Sequence, residues 1–181
     1  MGTDSVKLFN KTLSDQILVM DKSKLIHFAE ENLEALKQKE KNGGFVYSQI
    51  LSELNERGGS VAQAVERLFA EKNPLAELKE ELINDFAFGE EHIYLDYWGC
   101  YAAGFRQGHP KDSISSMKYL GHEEELYLFL KPSHLSQMIR SLKKHSDDLS
   151  VMSKGDIERL EYFRDFCVSH PGHWVAYFFD F

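Results

Sequence analysis

The segment His173-Trp174-Val175-Ala176-Tyr177-Phe178-Phe179-Asp180-Phe181 constrains the fold more than any other stretch of the chain. It is dense in aromatic and β-branched residues, which suit the pleated surface of a strand. At period two, His173, Val175, Tyr177, Phe179 and Phe181 point one way, and Trp174, Ala176, Phe178 and Asp180 point the other. Both faces carry large apolar groups, so the strand is expected inside a sheet covered on both sides. Left exposed as a docking peptide, it would be an aggregation hazard. His170 and His173 flank it as turn and edge residues.

Upstream, Leu126-Tyr127-Leu128-Phe129-Leu130 reads as a second buried strand, stopped by Pro132. Between the two strands Ser133 caps a helix striped by Leu135, Met138, Ile139 and Leu142. Ser153-Lys154-Gly155-Asp156 opens another in capping-box style, with Ile157, Leu160, Phe163, Phe166 and Cys167 on its apolar side. Two helices in series bring the chain back antiparallel. Residues 126–130 and 173–180 are therefore expected in one sheet with both helices packed on it.

The first half is helical in pattern. Leu25, Phe28, Ala29, Leu33 and Leu36 repeat at three and four, predicting a helix from Lys22 to Lys41 that stops at Asn42-Gly43-Gly44. Val46, Tyr47, Ile50, Leu51 and Leu54 predict a second, ended by Gly58-Gly59. Ser60-Val61-Ala62-Gln63 is a capping-box signature for a third, and Asn73-Pro74 a start signal for a fourth. Residues 6–20 mix short apolar and polar pieces, and Ile17-Leu18-Val19-Met20 fits a strand or a first helical turn. The expected fold class is α+β: a helical N-terminal half packed with a small, mostly antiparallel sheet that includes residues 126–130 and 173–180. One domain is expected over 1–181, helix-rich over 1–88 and mixed α/β over 89–181. A chain of 181 residues is long enough to bury about 70% of its unfolded surface without metal or disulfide staples.

Charge and motifs exclude several function classes. The net charge is −8, and each half divided at residue 88 carries −4, with no dense Lys/Arg stripe. Phosphate-backbone binding lacks its driving force, so no nucleic-acid partner is expected. Cys100 and Cys167 are too few for a disulfide framework, and no apolar run approaches a membrane span. A soluble, cytoplasmic protein without membrane attachment is expected. Gly43-Gly44 and Gly58-Gly59 follow helices instead of joining strand to helix, so phosphate-loop and dinucleotide fingerprints fail. No Gly-x-Ser-x-Gly or His-Glu-x-x-His occurs, and no cofactor is expected.

Residues 87–122 differ in texture, with glycines set among Tyr94, Tyr97, Trp98, Tyr101, Phe105 and Tyr119. The periodicity fits helix and strand alike. This segment holds the candidate catalytic residues His92, Asp96, Cys100, Tyr101, Arg106 and His109, with Trp98 and His122 nearby. On a helix, His92 and Asp96 would share a face, as paired ligands or a base and its orienter do. A metal needs three or four such ligands, and only two stand at that spacing, so no metal is expected. Cys100 beside a histidine could be an activated thiolate; it also fits a small buried residue among rings. Cys167 lies on an apolar stripe and reads as core.

The acidic clusters Glu90-Glu91 and Glu123-Glu124-Glu125 form solvated edges, because adjacent residues do not face one another as an acid–base pair must. As a recognition surface they steer basic partners. The favoured reading is therefore an acidic protein-interaction module of inhibitor or immunity type, not an enzyme. Its partner presents a basic surface, with Glu90, Glu91, Glu123, Glu124 and Glu125 as the partner-binding residues. The alternative is a small enzyme or ligand-binding protein with a site in residues 92–122 around Cys100. Self-association through amphipathic helix faces is left open.

Overall fold

The segment His173–Phe178 does form a strand, and it sits at the centre of a five-stranded antiparallel sheet. The structure, a computed structural model, describes residues 4–43, 48–96, 99, 109–149 and 151–179. Strands β1 (Asp4–Asn10), β2 (Ile93–Leu95), β3 (Ile114–Ser115), β4 (Tyr127–Leu130) and β5 (His173–Phe178) lie in the order β2-β1-β5-β4-β3. The expected pairing of the two late strands holds, from Tyr127↔Phe178 to Leu130↔Val175. Leu126, expected in the strand, precedes it and is exposed.

The neighbour of β5 on its other side is β1, paired from Ser5↔Phe178 to Asn10↔His173. Residues 6–20 are thus a strand followed by helix α1 (Lys11–Leu18); of the two readings of Ile17–Met20 the strand does not hold, and Ile17 and Leu18 lie in the last turn of a helix, not the first. Asp4, Ser5 and Lys7 dilute the period-two signal of β1, yet Asp4, Val6 and Phe9 are all fully buried. Asp4 is buried because its carboxylate serves a hydrogen bond in the core.

Two compact units result, Met1–Lys11 with Phe88–Phe181, and Thr12–Ala87. In the helical unit α1 is followed by α2 (Lys22–Glu31), α3 (Leu33–Gly43), α4 (Gln49–Arg57), α5 (Val61–Glu71) and α6 (Leu75–Phe86). The single helix expected over 22–41 is two. Asn32 breaks it: its side-chain amide and its backbone N–H both donate to the Phe28 carbonyl, so the ladder stops there. Ser60 and Gln63 form the expected capping box, each side chain bonding the other's backbone N–H. Gly58 ends α4 at φ +67°, where a side chain would be strained. Leu25, Ala29, Leu36, Ile50, Val65, Leu78, Leu82 and Ile83 are buried at the spacings the helical pattern implied.

In the sheet unit, α7 (Ser116–Leu120), α8 (Pro132–Lys144), a 3-10 turn at Ser146–Asp148 and α9 (Val151–Ser169) complete the described elements. Two boundaries differ from expectation. Pro132 opens α8 as its first residue, where its missing N–H is no loss. Ser153 lies inside α9, which starts at Val151. Both helices pack on one face of the sheet: Leu135, Met138, Ile139 and Leu142 of α8, with Ile157, Leu160, Phe163 and Cys167 of α9, join Val6, Ile93, Leu95, Leu128, Leu130, Val175 and Tyr177 in one core. Each such side chain contributes about 1.5–3 kcal/mol on burial. The other face is aromatic. Phe9 packs on Phe129 at 4.3 Å and Phe88 at 4.9 Å between ring centroids, and Tyr127 lies 4.9 Å from Phe178. No helix among the described residues is long and apolar enough to cross a membrane.

Candidate functional site

His92 and Asp96 bracket β2 and do not share a helix face. Four residues of extended chain set them about 13 Å apart, so they do not act as a ligand pair. The His92 ring stacks on exposed Tyr94, 5.4 Å between centroids and 2° from parallel. Burial, reinforced by the charge of Lys7, pushes the His92 imidazole below its usual range. Its carbonyl accepts from Arg159 Nη2 at 2.8 Å, and the same nitrogen reaches Glu91 Oε1 at 2.9 Å. Arg159 Nη1 meets Asp156 Oδ1 at 3.3 Å. Burial raises the Asp156 carboxyl, Arg159 opposes the rise, and the charge of Asp96 adds to it. Asp96 Oδ1 accepts the Gly99 backbone N–H at 2.7 Å. Arg159 therefore clamps the edge strand to α9 and balances Glu91.

A second cluster gathers where the chain enters β4. His109 Nε2 and Glu125 Oε1 are 2.7 Å apart, and the His109 ring lies 5.9 Å from that of Phe179. This joins a residue expected in a catalytic site to one expected on a recognition surface. An imidazole held by a carboxylate has the orientation that a general base needs. Buried Ser116 shapes the loop: its Oγ accepts from the backbone N–H of Leu126 at 2.9 Å and of Tyr127 at 3.3 Å. Gly121 ends α7 at φ +73° and turns the chain outward. Glu123 and Glu124 are exposed on this loop. Met117 and Leu126, tied through neighbouring Ser116, are 43% and 49% exposed. His122 is half-buried, edge-on to Tyr127 at 5.9 Å.

The two acidic clusters do not merge. Glu90 and Glu91 lead into β2, and Glu123–Glu125 lead into β4 on the far side of β1 and β5; three strand spacings amount to about 14 Å. Trp98, Cys100, Tyr101 and Arg106 lie outside the described residues. Among the described residues no three His, Cys, Asp or Glu side chains gather as a metal would require. An open groove of about 390 Å³ on α2, lined by Met20, Ser23, Lys24, His27, Phe28 and Glu31, contains none of the candidates. Sequence reasoning missed Arg159 and the Met117–Leu126 pair. Leu126 was hidden by an unbroken apolar run whose exposed end carries no mark. No family of proteins, no curated protein and no solved structure matches this chain.

Proposed function

We propose that the chain is an acidic protein-interaction module of inhibitor or immunity type, acting in the cytoplasm on a protein with a basic surface. The observation that carries this reading is the coincidence, on α7 and the loop from it into β4, of exposed Met117 and Leu126 with exposed Glu123 and Glu124. Apolar side chains anchor an interface and carboxylates steer a basic partner toward it. Glu90 and Glu91 form a separate, weaker contact region, because Arg159 already balances Glu91. The test is affinity purification from the protein's own cells at low and moderate salt, comparing wild type with the Glu123→Lys/Glu124→Lys variant. A stoichiometric basic partner, weakened by salt and by the double reversal, is expected. A bait that retains nothing, or a partner indifferent to both changes, overturns the reading.

A second reading is favoured by the 2.7 Å His109–Glu125 pair: a small enzyme or ligand-binding protein with its site in residues 92–122 around Cys100. Its test is the pH dependence of Cys100 alkylation. An activated thiolate reacts well below the ordinary thiol range and loses that reactivity in His109→Ala; an ordinary profile unchanged by the substitution rejects it.

A further inference from the structure

We infer that His134 is a proton-operated latch: neutral, it ties the turn Pro110–Ser113 to the start of α8, and protonation releases that turn. His134 is 6% exposed and stands at the third position of α8. Its two ring nitrogens face opposite kinds of group. Nδ1 accepts the backbone N–H of Lys131, the N-cap residue, at 3.1 Å. Nε2 lies 2.7 Å from the Lys111 carbonyl oxygen. A carbonyl only accepts, so Nε2 carries the proton; a backbone N–H only donates, so Nδ1 is bare. The two contacts fix one neutral tautomer, and they coexist in that form alone.

A second proton can enter only at Nδ1, where it displaces the Lys131 N–H. It also puts a cation in the first turn of a helix, where the dipole disfavours one. The neighbouring elements offer that cation little counter-charge. The charged residues of α8, Arg140, Lys143 and Lys144, are all basic. β4 and β5 carry no carboxylate, only tyrosines and His173 as titratable groups. On α9, Asp156, Glu161 and Asp165 pair with Arg159, Lys143 and Arg164, and Glu158 is exposed. Lys131 adds positive charge at the N-cap, and on the turn Lys111 and Asp112 are both exposed.

The turn itself is poised to move. The Ser113 N–H and Oγ–H donate to the Pro110 carbonyl at 3.1 and 2.7 Å. Asp112, inside it, stands at φ +67°, where a residue with a side chain is strained. At the leading end His109 faces Glu125 at 2.7 Å, and a protonated His109 is drawn to that carboxylate. Acid therefore shifts the anchorage of the turn from α8 to the loop entering β4. The latch is a property of the fold and holds under either reading of function above.

The experiment is nuclear magnetic resonance of the full chain at about pH 8 and about pH 5, the span in which histidines change charge. Nitrogen chemical shifts of the His134 ring should show a bare Nδ1 and a protonated Nε2 at the higher pH. Amide exchange, corrected for the intrinsic effect of pH, should show the Lys131 amide losing protection about tenfold at the lower pH, the scale of one lost hydrogen bond. The amides of β5 should keep theirs. In His134→Gln the side-chain oxygen accepts the N-cap N–H, as in a capping box, and the amide nitrogen still has a proton for the Lys111 carbonyl. That variant should protect Lys131 equally at both pH values, and His134→Ala at neither. Wild-type protection that does not change with pH overturns the latch. So does a proton on Nδ1 at the higher pH, or an equal fall in His134→Gln. A loss shared by β5 also overturns it, since general unfolding then accounts for the change.

Discussion

The Tyr177 hydroxyl donates a 2.6 Å hydrogen bond to the Asp4 carboxylate in the core, joining residues 173 positions apart. Both residues are fully buried. A carboxylate in such a place is tolerated only with donors aimed at it. Tyr177→Phe keeps the ring and removes one donor, so urea unfolding should show a loss of about 1.5–3 kcal/mol, typical of a bond to a charged group. A loss below about 0.5 kcal/mol would mean that other donors already satisfy Asp4.

The helical unit should show a pH dependence of defined sign. Burial raises the Glu81 carboxyl above the ordinary 4.5, and the like charges of Asp85 and Glu77 add to the rise. Burial raises Asp85 as well, with Lys39 opposing. A carboxyl raised by folding holds its proton longer in the folded state. Its stabilising contribution is therefore complete below the ordinary value and is lost as pH rises through the raised one. Glu77 is lowered, first by its hydrogen bond to Lys72, and acts in the opposite sense only at more acidic pH. Glu81 also accepts the Gln49 backbone N–H at 3.0 Å, an acceptor that Glu81→Gln retains. Between pH 4 and 8, the stability of Glu81→Gln minus that of wild type should rise with pH. A flat difference rejects the assignment.

Cys167 should be chemically silent. Burial pushes its thiol up to about 12, so almost no thiolate exists at neutral pH. In a Cys100→Ser variant, an aromatic disulfide reagent at pH 8 should label the native protein hardly at all and the denatured protein stoichiometrically. Rapid native labelling would place Cys167 outside the core.

Two substitutions on α9 should separate packing from surface charge. Phe163 is fully buried between helix and sheet, and Phe163→Ala should cost about 3–5 kcal/mol. Arg159 holds Glu91, Asp156 and the His92 carbonyl from a partly exposed position, and Arg159→Ala should cost about 1 kcal/mol or less. Thermal unfolding of the two variants compares them directly.

The parts of the fold legible in sequence are those where burial and polarity agree. Residues 127–130 and 173–178 carry apolar groups on both faces, and they pair as their spacing implies. The Ser60–Gln63 box announces its helix because side chain and backbone satisfy each other locally. β1 was illegible because a buried carboxylate looks like a surface residue until its partner, Tyr177, is placed beside it. The break at Asn32 was illegible because one amide bonding backward overrides an otherwise unbroken apolar stripe. For the sites, the sequence separated His109 from Glu125, which only the turn through β3 and α7 brings together. The relation of His92 to Asp96 hung on the secondary structure between them, because a spacing of four means proximity on a helix and distance on a strand, and Ile93–Leu95 is a strand.

The strand order has a consequence in time. β1 lies against β5, so during synthesis residues 4–10 wait for residues 173–178 before their main partner exists. At about 5–20 residues per second that wait is on the order of ten to thirty seconds. The helices α1–α6 can form during it from local contacts, while β1 offers an unpaired edge to any neighbour. A ribosome that stalls within α9 therefore holds a chain whose sheet lacks its middle strand.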